Sequence, residues 1–283
     1  MVDLIDRALA EDLGSGDLTT LAVVSAGSVA RAVIVQKEGG VPSGLGVCRA
    51  VFERVDAGVR WTAHARDGRW REPGPLAELE GGAASILAAE RVALNLLGRL
   101  SGVATLTARY VRAVEGTGVR ILDTRKTTPG LRALEKEAVR DGGGVSHRSG
   151  LFDAILVKEN HAILAGGVRE AARRALANAP SGVAVEVECA NLDEVEAALE
   201  AGVPRILLDN MGLEDLRGAV KIAGGRAELE ASGGITLDTV RAVAETGVDY
   251  ISVGALTHSA PALDFSLLLE PASPGDAAPR TDR

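Results

Sequence analysis

Apolar and polar residues follow two rhythms along this chain, and the change between them falls near residue 115. Before that point the periods are mixed. Residues 2–13 carry apolar side chains at helical spacing and run into Gly14, a natural helix stop. Residues 29–37 (VARAVIVQK) alternate as a half-buried strand does, and Trp61 and Trp70 lie in two shorter strand-like stretches. Residues 85–114 repeat apolar positions at i, i+3 and i+4, which predicts a long helix interrupted near Ser101 and Gly102. Residues 1–114 therefore read as an α+β layer with its own sheet.

From residue 119 onward short apolar runs recur: VRILDT (119–124), DAILVK (153–158), VAVEVE (183–188), RILLDN (205–210), AELEAS (227–232) and DYISVG (249–254). Helix-like segments with legible ends separate most of them. Asn191 and Glu194 have N-cap and third-residue chemistry, and Gly202 stands where that helix should stop. Thr236 opens a similar segment that ends at Gly247. Six such βα units in a row predict a (β/α) barrel over residues 115–270 rather than an open doubly wound sheet. Residues 271–283 have no periodicity and are expected to form a disordered tail.

Composition removes several classes. A net charge of −8 disfavours general nucleic-acid binding, because the long-range field repels phosphate backbones. No apolar run approaches the length needed to span a bilayer, and residues 1–10 do not read as a signal peptide. Cys48 and Cys189 are too few for a metal-binding quartet and fit a reducing compartment, so a cytoplasmic protein without membrane or nucleic-acid partners is expected.

In a parallel barrel the chemistry sits at the carboxyl ends of the strands. Taken in order, those ends supply Asp123, Thr124, Arg125 and Lys126, then Lys158 with Glu159 and Asn160, then Glu186 and Glu188. Asp209 with Asn210, then Ser232, Gly233 and Gly234, and finally Gly254 complete the series, and GGGVSHR places His147 and Arg148 just before the second strand. Each has a plainer reading. Arg125 and Lys126 could be a solvated pair, Asp209 a helix cap, His147 and Arg148 ordinary loop residues, and Arg91 a surface partner of Glu90. Glu186 and Glu188 share one strand face, and Glu188 is the better candidate for chemistry. Lys158 ends an apolar strand, where it needs anionic company. Converging cations suit a ligand with several carboxylates or phosphates, facing carboxylates suit Mg²⁺, and glycine turns suit a terminal phosphate. Three readings stay open on these grounds: group transfer involving a pyrophosphate-bearing sugar, Schiff-base chemistry through Lys158, and metabolite binding without turnover.

Longer stretches separate these readings. DTRKTTPGLRALEKEAVRDGGGVSHRSGLFDAILVKENH (123–161) resembles the signature of the quinolinate phosphoribosyltransferases. So do ALAEDLGSGDLTT (8–20), ERVALNLLGRLSGVAT (90–105), EVECANLDEVEAALEAG (186–202), ILLDNM (206–211) and the stretch 230–269. Residues 61–75 and the chain after about 270 carry little of the likeness. The resemblance implies an N-terminal α/β sandwich followed by an incomplete (β/α) barrel. It also implies conversion of quinolinate and phosphoribosyl pyrophosphate to nicotinate mononucleotide, pyrophosphate and CO₂ with Mg²⁺. A homodimer or larger assembly with a shared site is implied too, Arg91 reaching in from the neighbouring subunit. Residue by residue it implies that Arg125, His147, Arg148 and Lys158 line the quinolinate pocket. Lys126, Lys158, Glu188 and Asp209 would act on the phosphoribosyl pyrophosphate, Glu188 and Asp209 also holding the metal, and Ser232, Gly233, Gly234 and Gly254 would hold the 5′-phosphate. The chain departs from the pattern at Ser146, where the family often has Asn, and at Pro204 and Arg205, where Ala-Asp is common. GLFDAILVKENH separates the chain from the related branch encoded with molybdate transport genes.

Overall fold

Every one of the six runs after residue 119 becomes a strand. The computed structural model describes residues 1–271 and divides into two units, residues 1–105 with 260 onward, and residues 106–259. The elements of the first unit are α1 (Val2–Leu13), α2 (Leu18–Val23), β1 (Val29–Gln36), α3 (Leu45–Val55), β2 (Arg60–Ala63), β3 (Gly74–Gly82) and most of α4 (Ala83–Ala113). The second unit follows with β4 (Arg120–Leu122), α5 (Arg132–Asp141), β5 (Ala154–Val157), α6 (Glu159–Ala165), α7 (Val168–Asn178) and β6 (Ala184–Cys189). It continues through α8 (Leu192–Glu200), β7 (Arg205–Asp209), α9 (Leu213–Ala223), β8 (Glu228–Ser232), α10 (Val240–Ala244), β9 (Tyr250–Ser252) and α11 (Ala255–His258). The last strand, β10 (Phe265–Pro271), belongs to the first unit.

The first sheet is antiparallel, in the order β10-β1-β3-β2. Alternation along β1 buries Ala30, Ala32, Ile34 and Gln36, and its apolar face packs with Phe52, Leu76, Leu79, Ile86 and Leu97. Asp17 caps α2 by accepting a hydrogen bond from Thr20 N at 3.0 Å. Three expectations change here. Trp70 lies outside any strand, beside an isolated bridge between Gly40 and Arg71. The long helix is unbroken through Ser101 and Gly102. Glycine is required there because a Cβ on Gly102 would run into Pro261 O and come within 3.1 Å of Ala262 Cα. The expected boundary at 114 lies just past α4, whereas the units part within that helix, and residues 265–271 pair antiparallel with β1 instead of joining the barrel. Pro271 ends that strand, and the rest of the expected tail, 272–283, lies outside the described residues.

The second sheet is parallel throughout, in the order β4-β9-β8-β7-β6-β5. Its two edges, β4 and β5, flank the gap of an incomplete barrel, and Val145 bridges to Leu122 beside it. Ile121, Val187, Ile206, Leu208, Leu229 and Ile251 are fully buried, as expected of strands covered on both faces. Asn191 caps α8 by accepting from Glu194 N at 3.0 Å, and Gly202 follows in the left-handed region with φ 83°. The segment opened by Thr236 turns first through Thr239 and becomes helical only at Val240.

Candidate active site

Parallel strands that end together leave a depression at their carboxyl ends. In this chain it is a cavity of about 470 Å³ lined by Thr124, Arg125, Lys126, His147, Arg148, Leu156, Lys158, Leu207, Asp209, Asn210, Glu230, Ser232, Gly233, Gly234 and Ser252. Nine of the sequence-predicted site residues are in that lining.

The cations occupy one side, on loops held from beneath by buried charge. The loop after β4 is fixed by fully buried Glu135, whose carboxylate accepts from Thr128 N at 3.0 Å and Thr128 Oγ1 at 2.7 Å. Arg132 ties the same loop to the next, donating to Thr127 Oγ1, Arg125 O and Ser149 O. Lys136 and Asp123, both buried, pair at 2.5 Å. Asp123 also accepts from His147 N at 2.8 Å, and Lys136 donates to His147 O at 3.3 Å. Burial raises the Asp123 pKa, against the pull of Lys136 and the His147 N–H. Asp123 stands at a strand end as the sequence suggests, but it is structural.

Arg125 lines the cavity, and its Nε is buried without a hydrogen-bond partner. Burial and the nearby Arg125 charge lower the Arg148 pKa, while Asp153 and Glu186 oppose them. Two crowded, partly desolvated guanidiniums gain most from an anion between them.

Glycine and backbone form the opposite side. Gly233 has φ 100° and Gly234 φ 61°, and Asn210 is the one non-glycine residue at positive φ among those described, at 54°. Asn210 N donates to Ser232 O at 2.8 Å, which locks the end of β7 to the end of β8. A Cβ on Gly233 would lie 2.9 Å from Asn210 N and 2.5 Å from its Cγ. Gly254 lies outside the lining but abuts it, since a Cβ there would come within 3.1 Å of Lys126 Cδ.

Glu188 reaches the cavity through Lys158, whose ammonium it pairs with; Glu188 Oε1 also lies 3.4 Å from Glu159 N. Asp209 Oδ2 accepts from Asn210 Nδ2 at 2.7 Å. Arg91 belongs to the first unit, is 64% exposed, and lies 3.7 Å from Glu90, the plainer partner anticipated for it.

A model of the quinolinate phosphoribosyl transferase C-terminal domain matches residues 103–268, and the N-terminal domain model of the same enzymes matches residues 17–101. The chain belongs to this family. The probable nicotinate-nucleotide pyrophosphorylase [carboxylating] of Bacillus subtilis is 43% identical, over 93% of this chain and 91% of that protein. The nicotinate-nucleotide pyrophosphorylase [carboxylating] of Mycobacterium leprae is 45% identical, over 94% and 95%. The crystal structure of NadC from Streptococcus pyogenes superposes with a TM-score of 0.91 at 42% identity, covering 96% of each chain.

Sequence reasoning passed over Glu230 and set Glu186 behind Glu188. Glu230 lines the cavity while fully buried, and Glu186, 5% exposed, lies beside it. His147 Nε2 is 2.9 Å from Glu186 Oε2 and 3.4 Å from Glu230 Oε2. Burial raises the Glu186 pKa, with His147 opposing and Glu230 adding to the rise. Alternation in VAVEVE and AELEAS placed these carboxylates on the same faces as Glu188 and Ser232, and that was the available signal. Of the departures, Ser146 accepts from Arg140 Nη1 at 3.0 Å, and Arg205 pairs with Glu228 and stacks 4.2 Å from the Tyr250 ring centroid.

Proposed function

We propose that this chain transfers the phosphoribosyl group of phosphoribosyl pyrophosphate to the ring nitrogen of quinolinate, with loss of CO₂, giving nicotinate mononucleotide and pyrophosphate for NAD biosynthesis. The observation that carries the reading is the division of one cavity into a cationic side and a glycine-turn side, in a chain that both family models match.

Each side answers one substrate. Quinolinate brings two carboxylates, and Arg125, Arg148 and Lys158 offset their desolvation and fix the ring. The turns at Ser232, Gly233 and Gly234 present backbone N–H groups suited to the 5′-phosphate. With both substrates held, the pyridine nitrogen attacks the anomeric carbon as its bond to pyrophosphate breaks. Lys126 and Lys158 offset charge on the departing oxygens, and Glu188 and Asp209 steady the cationic ribose. The quaternised nitrogen then holds the electron pair left on the adjacent carbon as CO₂ departs, and that carbon takes up a proton. No protein nucleophile is needed, consistent with the buried state of Cys189, whose thiol pKa is pushed up to about 12 by burial first and then by Glu194 and Glu188.

Glu188 and Asp209 offer the hard oxygen donors that Mg²⁺ favours, and such an ion commonly keeps few protein ligands and bridges phosphates. When bound there it would supply charge neutralisation of the pyrophosphate. The test of this function is an assay of pyrophosphate, nicotinate mononucleotide and CO₂ with and without Mg²⁺. Equal yields of all three, lost on chelation, are expected; no product from folded, metal-supplied protein would overturn the reading.

The working form we propose is a cytoplasmic homodimer or larger assembly. Among the described residues no helix is long and apolar enough to cross a membrane. Each unit exposes apolar side chains that solvent disfavours, Leu18, Leu21 and Val23 in the first, Leu151, Phe152, Ile163 and Leu164 in the second. Arg91 would enter the neighbour's site. Mixing inactive Arg91→Ala with inactive Lys158→Ala subunits should restore part of the activity, and no rescue after verified exchange would exclude sharing.

A further inference from the structure

His147 lines the cavity with little freedom to meet a ligand. Its backbone N–H donates to Asp123 and its carbonyl accepts from Lys136. Its Nδ1 accepts from Arg148 N at 2.7 Å. Its Nε2 is buried and faces Glu186 and Glu230. All four polar groups are turned toward the protein, and the side chain is only 10% exposed.

The contact at Nδ1 fixes the proton. A backbone N–H always donates, so Nδ1 must offer a lone pair, and the ring's hydrogen resides on Nε2. Two influences compete over a second proton. Burial pulls the His147 pKa down, and the attraction of Glu186 and Glu230 outweighs it and drives the value up to about 9. That second proton would have to sit on Nδ1, against the Arg148 N–H. The Arg148 contact therefore sets the tautomer of the neutral ring, with its hydrogen on Nε2, while the two carboxylates favour a second proton until the pH passes about 9. Neither carboxylate lies along the N–H direction, so charge attraction rather than a linear hydrogen bond keeps the proton on that side.

The same geometry disposes of a metal reading. His147, Glu186 and Glu230 bring one ligand atom each within 4.8 Å of one another. A neutral histidine that ligates a metal through Nε2 carries its proton on Nδ1 and donates it. Here Nδ1 faces a donor.

We propose that His147 is a positioning residue: its ring joins the buried Glu186 and Glu230 to the Arg148 backbone and sets that guanidinium in the cavity, without donating to substrate. The reading rests on the assignment of the cavity to quinolinate, but its first test does not. Groups facing the ring's surroundings are Arg125 and Lys126 after β4, Arg148 and Lys158 around β5, Glu186 and Glu188 on β6, Arg205 and Asp209 on β7, and Glu230 on β8. The cations Arg125, Lys126, Arg148 and Lys158, which line the cavity, supply the charge that binds a dicarboxylate.

The experiment is ¹⁵N NMR of the histidine rings in the intact protein, with the His147 signals assigned by their loss in His147→Asn. Above the His147 pKa of about 9 a neutral Nε2–H pattern, unchanged by saturating quinolinate, is expected. An Nδ1–H pattern there, or loss of the Nε2 proton on adding Mg²⁺ or Zn²⁺, would overturn the proposal whether or not quinolinate is the substrate. Steady-state kinetics give a second reading. Asn can still accept from Arg148 N through its side-chain oxygen, so His147→Asn should keep the quinolinate KM within about threefold. His147→Leu should raise it at least tenfold with a smaller change in the phosphoribosyl pyrophosphate KM. Equal damage by both variants would count against the brace.

Discussion

The two sides of the cavity are built in opposite ways. On the cationic side, function belongs to long side chains, and the fold's task is to hold their loops with buried charge: Glu135 under residues 124–128, Asp123 with Lys136 under His147. On the glycine side the function belongs to the backbone, and side chains matter by staying small, as at Gly233 against Asn210. The first arrangement stores its precision some distance beneath the ligand. The second keeps it at the surface of contact.

Substitutions should separate the two. Lys136→Met leaves Asp123 buried without its cation, and removing one partner of such a pair costs about 3–5 kcal/mol. Chemical denaturation should show that loss, and the protein still folded should bind quinolinate more weakly. An unchanged midpoint would mean that the cationic loops do not depend on the buried pair. Gly233→Ala should act on the other substrate. Its φ of 100° and the approach to Asn210 force the turn to move. A fall in kcat/KM of about 100-fold, or about 2.7 kcal/mol, is expected, expressed mainly in the phosphoribosyl pyrophosphate KM. If the quinolinate KM rose equally, the division of labour would be wrong.

The smallest effect concerns the tip of the cationic side. Asp153 accepts from Ser149 N at 2.5 Å and Gly150 N at 2.9 Å, and these backbone bonds, Ser149 first, lower its pKa. A depressed carboxylate stabilises the fold fully above its unfolded value, about 3.9, and that contribution disappears as pH falls through the lower folded value. Asp153→Asn should therefore cost no more than about 2 °C in Tm near neutrality, and the gap should close in acid. A gap that persists unchanged would point to packing instead.

The parallel strands were readable in the sequence because they are buried on both faces and end in polar residues, so RILLDN and AELEAS mark strand and site together. Other features depended on contacts that no local pattern contains. Gly102 signals a helix break unless Pro261 is known to pack against it. β10 resembles a barrel element because its partner, β1, is more than 200 residues away. Glu186 and Glu188 look equivalent two residues apart, yet one meets His147 and the other Lys158.

That distant pairing has a consequence for how the chain comes to be folded. β1 is a central strand only once β10 lies against it, along seven residue pairs from Ala30 with Pro271 to Gln36 with Phe265. During synthesis residues 106–259 leave the ribosome complete before β10 exists, so the second-made unit can close first. Until then β1 waits with a bare edge, the kind of surface on which nascent chains pair wrongly. The start of this protein is finished last.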